Sequence, residues 1–231
     1  MDIPQTDADI VVLAGDINVG VKGLIWAANF KQQVLYILGN HEFYGRSIMG
    51  LKREIKEHAK CYSNVHVLDN DSITIHDVTF HGCTLWTDFE LYGNATLSMH
   101  YAKERISDFR RISFNDASMF TPEIAAALHQ NSIQWLQSSI SNSKSKKNVV
   151  VSHHLPSKHA IDSQFDGSEL NPAFASDCSE LFKLEIDLWI YGHNHHCNSY
   201  SIYDTKFVTN QRGYFGYEHI PDFDPFKVVE I

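Results

Sequence analysis

The chain has 231 residues, enough to bury a full core, and its 43% hydrophobic and 20% charged residues are those of an ordinary globular protein. A formal net charge of −9 excludes the broad basic face that nucleic-acid binding needs. The same charge would repel an anionic substrate unless a cationic centre, such as bound divalent ions, reversed the local field.

From the amino terminus, Asp9-Ile10-Val11-Val12-Leu13-Ala14-Gly15-Asp16 is an apolar run closed by Gly-Asp. It predicts a fully buried strand with Asp16 just past its carboxyl end. Leu24, Ile25, Trp26 and Ala28 predict a short helix over residues 21–30. Val34 to Leu38 repeats the strand design and is closed by Gly39-Asn40-His41-Glu42. Ser47 is a capping residue for a helix to about Ala59, whose Ile48, Leu51 and Ile55 keep helical spacing. Val65 to Leu68, Ser72 to Ile75 and Val78 to Phe80 are short β-prone pieces that read as antiparallel strands, the last two a hairpin across His76-Asp77. Residues 82–86 extend that sheet, and residues 91–115 are mixed and partly helical. Thr121-Pro122-Glu123 is a helix start, with a capping hydroxyl, Pro at the first helical position and an acid in the first turn. Ile124, Leu128, Trp135, Leu136 and Ile140 give that helix its buried face.

Asn148 to Ser152 is a third apolar run and ends in His153-His154. The following residues, 155–175, lack periodicity and are punctuated by Pro156, Gly167 and Pro172; a loop this long inside a compact domain is usually functional. Ser176 predicts a capped helix to Lys183. Ile186 to Ile190 is a fourth apolar run, stopped by Gly192 and followed by His193-Asn194-His195-His196. A hairpin is expected from Tyr200–Tyr203 and Lys206–Thr209 across Asp204-Thr205, and a last strand from Phe226 to Glu230. There is no internal repeat, low-complexity tract or composition break, so residues 1–231 read as a single domain. Cys61, Cys83, Cys178 and Cys197 form no Cys-x-x-Cys pair, and no apolar segment is long enough to span a membrane; a reducing cytoplasm is expected.

Four strand-like runs thus end in Gly15-Asp16, Gly39-Asn40-His41-Glu42, Ser152-His153-His154 and Gly192-His193-Asn194-His195. Each leaves a carboxylate, carboxamide or imidazole at the same end of a strand. Parallel neighbours would bring these groups together in the crevice where open α/β sheets bind ligands. Any one of the motifs also fits an ordinary turn or a surface histidine pair. All four in this order point to one shared site. Oxygen and nitrogen donors without thiolate suit manganese, iron or zinc.

On these motifs the sequence resembles the calcineurin-like metallophosphoesterase superfamily, in particular its small bacterial-type members, over nearly the whole chain. The resemblance implies an α/β fold, a four-layer α/β/β/α sandwich with metal-binding loops at one edge. It makes Asp16 the carboxylate that bridges two metal ions. Asn40, His153 and His193 become the remaining ligands of one ion, and His195 a ligand of the other. His41 becomes the histidine that assists the departing or transition-state oxygen. His154 and His196 match no ligand position. The family pattern also has Asp-x-His on a strand upstream of Gly-Asp. Neither Asp2-Ile3-Pro4 nor Asp7-Ala8-Asp9 supplies it, so the first strand is expected to be missing and the second ion to be held weakly. The expected activity is metal-dependent hydrolysis of a small phosphorylated substrate. The alternative is a scaffold of the same fold with an impaired centre. A third reading, a zinc-dependent peptidase or deaminase, lacks support because neither His-Glu-x-x-His nor Cys-x-x-Cys occurs. Lys158 and Arg46 are candidate phosphate contacts, although solvated surface charge is the favoured reading for both.

Overall fold

The computed structural model describes residues 3–214 and 216–231. Three parallel strands form one sheet, in the order β1 (Ile10–Ala14), β2 (Gln33–Ile37) and β3 (Val65–Val67). Six strands form the second: β10 (Ser199–Ile202), β11 (Thr205–Val208), β9 (Leu188–Ile190), β8 (Lys147–Ser152), β5 (Val78–Cys83) and β4 (Asp71–Ile75). The middle of that sheet, β11-β9-β8-β5, is parallel, and an antiparallel hairpin closes each edge. A small ribbon, β6 (Ser113–Asn115) with β7 (Ser118–Met119), stands apart.

The apolar runs explain how the sheets pack. Along β2 the side chains alternate: Val34 and Tyr36 join one cluster with Leu24 and Ile55, while Leu35 and Ile37 join another with Phe80, Val149 and Val151 of the six-stranded sheet. The two sheets therefore face each other across that second cluster. Val150 of β8 points the other way, to Leu136 and Phe182. The helices packed on the outer clusters are α1 (Lys22–Ala27), α2 (Ile48–Ala59) and α5 (Pro122–Ser141), with α3 (Ala95–Arg105) against α5 and a short α4 (Asp108–Arg111) after it. Ser47 caps α2 by accepting from Gly50 N at 3.1 Å, and Thr121 caps α5 from Ile124 N at 3.4 Å, as their sequences imply.

Five expectations need correction. Residues 65–67 do not join the hairpin; they pair in parallel with β2 in the other sheet. β1 is half-buried rather than fully buried, because β2 is its sole strand neighbour among the described residues. Ser176 caps no α-helix: its hydroxyl bonds Asp88, and only a single 3-10 turn, Leu181–Lys183, follows. The second hairpin turns at Tyr203-Asp204, one residue earlier than expected, with Ile202 opposite Thr205 and Tyr203 at φ 51°. Phe226 to Glu230 is no strand; Phe226 and Val228 are exposed, and Val229 packs against the inter-sheet core. The long stretch after Leu155 holds three 3-10 turns and one bridge between Leu155 and Ala175. Among the described residues, no helix is long and apolar enough to cross a membrane.

Candidate metal centre

β1, β2, β8 and β9 end on one side of the molecule, and the loops leaving them meet there. Their approach depends on glycine. A Cβ on Gly15 would lie 2.7 Å from Gly39 N and collide with His153 Nδ1; one on Gly192 would lie 2.5 Å from Ala14 O. Asp16, His193 and His195 all hold left-handed backbone, at φ 58°, 77° and 49°. Non-glycine residues adopt that region at a cost, and such positions gather where function constrains the chain.

The loops bring Asp16, His153 and His193 together: one ligand atom from each lies within 4.8 Å of the others. His153 is fully buried, and its Nδ1 donates to Ala14 O at 2.8 Å. In the neutral ring Nε2 then carries the lone pair. It faces Asn40 Oδ1 at 3.0 Å and Asp16 Oδ1 at 3.4 Å. Three acceptor atoms converging in a buried place repel one another unless a proton or a cation lies among them. Asn40 is held in this pose by Asp108, whose two oxygens accept from Asn40 Nδ2 at 3.0 Å each; Tyr44 donates to the same carboxylate at 2.7 Å. The set of one carboxylate, one carboxamide and two imidazoles fits a hard or borderline divalent ion.

The electrostatics of the cluster follow from burial and close neighbours. Burial alone would raise the Asp16 carboxyl, yet the imidazoles of His153, His41 and His193 hold it well below the usual carboxylate range. Burial opposes a charge on His153, but Asp16 overrides it and raises that imidazole. His193 is pushed well down by burial and by its neighbours His154 and His153, which favours the neutral form that ligates metals.

His41 sits at the mouth. Its backbone N–H donates to Asp16 Oδ1 at 2.9 Å, its ring stacks on Tyr44 at 4.3 Å, and its Nε2 is 3.1 Å from Tyr214 Oη. Burial lowers its pKa, which favours the neutral ring. His195 lies outside the Asp16–His153–His193 group. Its Nδ1 is 2.7 Å from Glu218 Oε2, and its ring meets Tyr214 edge-on at 4.5 Å. His154 bonds Thr84 O and packs on Trp86 and His193, and burial and His153 lower its pKa to about 3. His196 lies 3.3 Å from Asp162. Arg46 pairs with Glu54, and Lys158 is exposed in a 3-10 turn. Asp2 lies outside the described residues.

Sequence reasoning passed over Glu42, Asp108, Tyr44, Tyr214 and Glu218. Glu42 is fully buried and ties the first two loops together, accepting from Asp16 N (2.9 Å), Ile17 N (2.7 Å), Gly39 N (2.8 Å) and Tyr36 Oη (3.0 Å). Burial and the nearby Asp16 push its carboxyl up to about 6, against those donors. Its signal was present, as the acid closing Gly-Asn-His-Glu. Tyr44 stands two residues beyond that motif without a mark of its own, and Asp108, Tyr214 and Glu218 lie far along the chain.

This chain belongs to the calcineurin-like phosphoesterase family, whose model matches residues 2–197. At that level of description it is a metal-dependent phosphoester hydrolase. It is 26% identical over 214 residues to an uncharacterized protein of Acanthamoeba polyphaga mimivirus, spanning 86% of this chain and 74% of that protein. Its fold is similar to that of phosphopantetheinyl hydrolase from Mycobacterium tuberculosis, with a TM-score of 0.68 at 14% identity over 99% of this chain and 90% of that one. A putative 5'-nucleotidase from Staphylococcus aureus aligns with a TM-score of 0.50 and 16% identity, over 87% of this chain and 39% of that one. At these identities the two structures speak to the fold alone.

Proposed function

We propose that this chain hydrolyses a small phosphoester, a monoester, diester or pyrophosphate, with a divalent ion held by Asp16, Asn40, His153 and His193. The observation that carries this reading is the meeting of His153 Nε2 with two oxygen acceptors, Asn40 Oδ1 at 3.0 Å and Asp16 Oδ1 at 3.4 Å. A divalent ion of that kind, when bound, supplies charge that polarises a phosphoryl oxygen and acidifies water.

The protein's own residues do the rest. Asp108 and Tyr44 keep the Asn40 amide nitrogen turned away, so that its oxygen faces the site. Glu42 fixes the loop of Asp16 against the loop of Asn40. His41, whose pKa burial lowers, is part-buried and stacked between the rings of Tyr44 and Tyr214, with Nε2 as the atom that takes or returns a proton at the reacting oxygen. His195 and Asp16 would hold a second ion more weakly, since two protein donors do not fill a divalent ion's shell.

The scaffold alternative draws on that incomplete second set. The experiment that separates the two is turnover of chromogenic phosphate mono- and diesters by chelator-stripped protein, before and after reloading with manganese or zinc. Slow turnover that appears only on reloading is the expected result. Metal-loaded protein that cleaves none of them would favour the scaffold.

A further inference from the structure

The turn over residues 209–218 follows the stretch matched by the family and is built against His195. Gln211 Oε1 accepts from His195 N at 2.8 Å, and Gln211 Nε2 donates to Thr209 Oγ1 at 2.7 Å and to Asn194 Oδ1. The turn then reverses at Gly213, φ 69°, where a Cβ would come within 2.7 Å of Glu218 Oε2. Glycine here lets the Glu218 side chain fold back across the turn. Its Oε2 accepts from Tyr214 N at 2.8 Å and stands 2.7 Å from His195 Nδ1. Tyr214, between them, packs edge-on against the His195 ring and reaches His41 with its hydroxyl. A carboxylate is thus delivered to one ring nitrogen of His195 by a turn with three separate anchors.

We infer that Glu218 is the positioning residue of His195. A carboxylate beside Nδ1 retains the ring proton there, leaves the lone pair on Nε2 and sets the ring's orientation. Glu218 touches neither ion nor substrate in this role; it acts through His195. The inference rests on the proposed reading that His195 is a donor to a divalent ion. It also gives a reason for the left-handed backbone at His195: the loop is held in that conformation by Gln211 and Glu218 together.

The test compares full-length wild type with Glu218→Gln and Glu218→Ala at pH 8. Manganese is titrated calorimetrically, and the imidazole nitrogen shifts of His195 are read by NMR in metal-free protein labelled at histidine. Wild type should bind one ion tightly and a second weakly, with His195 in the Nδ1–H form. Glu218→Gln keeps an acceptor oxygen and should keep that tautomer, yet weaken the second ion by about 10–100-fold. Glu218→Ala should lose the tautomer preference as well, and neither variant should alter the tight ion. A His195 tautomer indifferent to Glu218→Ala would overturn the inference even if wild type took up only one ion. Equal weakening of both ions in Glu218→Gln would also overturn it, since Glu218 would then be supporting the whole fold. Wild type that binds no metal at all would instead overturn the reading on which the inference stands.

Discussion

Two glycines in one loop, Gly39 and Gly45, should respond to alanine for opposite reasons. A Cβ on Gly39 would lie 2.6 Å from Asp16 N and 2.7 Å from His153 Cε1, and would overlap Asp16 Oδ1. Ordinary contact begins near 3.4 Å, so Gly39→Ala forces the loops carrying Asp16 and His153 apart by about 0.7–0.8 Å. Overpacking of this kind costs about 1–3 kcal/mol. Ligand distances at a metal tolerate only about 0.2 Å, several times less than the forced shift. Gly45 has nothing within 4 Å of its would-be Cβ but holds φ 72°, so Gly45→Ala should cost about 1–2 kcal/mol through backbone strain alone. Urea unfolding and metal titration on both variants separate the two effects. Both should be destabilised to a similar extent, while only Gly39→Ala should lose tight metal binding. Gly39→Ala that binds metal as wild type does would refute the close packing of the loops around the centre.

His41→Ala should keep the fold and the bound ion but slow hydrolysis by about two to four orders of magnitude, read as kcat at saturating metal; undiminished turnover would remove His41 from the chemistry. His81 offers a pH test away from the centre. It is fully buried between Ser139 Oγ at 2.8 Å and Asn148 Oδ1 at 3.2 Å, and burial lowers its pKa from the usual 6.5. The unfolded chain therefore binds the proton more readily than the fold does. The stability His81 supplies is complete above about pH 6.5 and is lost as pH falls from there toward the lower folded value. Urea unfolding at pH 7.5, 6.5 and 5.5 should show a shallower acid loss in His81→Gln than in wild type. Parallel slopes would show that His81 is not the group responsible.

The strand ends were legible because their chemistry is local. An apolar run sets the strand, a glycine ends three of the four runs and Ser152 the other, and the next residues are the candidate donors; Asp16, Asn40, His153 and His193 follow from that pattern and stand together. Sheet membership was not legible in the same way. Val65-His66-Val67 looks like its neighbours in the hairpin, and nothing local says that its partner is β2 rather than β4. The tail was misread because Phe226, Val228 and Val229 have strand-like composition, whereas two of the three stay exposed and no strand is there to pair with them among the described residues. Asp108 and Glu218 were invisible for a different reason. Each acts on a candidate ligand from far along the chain, 68 residues away for Asn40 and Asp108, and an isolated acid in a polar stretch reads as surface charge.

The most direct test of the account is anomalous diffraction from crystals of protein loaded with one equivalent of manganese or zinc, with metal content measured on the same sample. The account predicts one fully occupied peak within bonding distance of Asp16, Asn40, His153 and His193, and its disappearance from Asp16→Ala, His153→Ala and His193→Ala. A peak elsewhere, unchanged stoichiometry in all three variants, or two ions held equally tightly would contradict it.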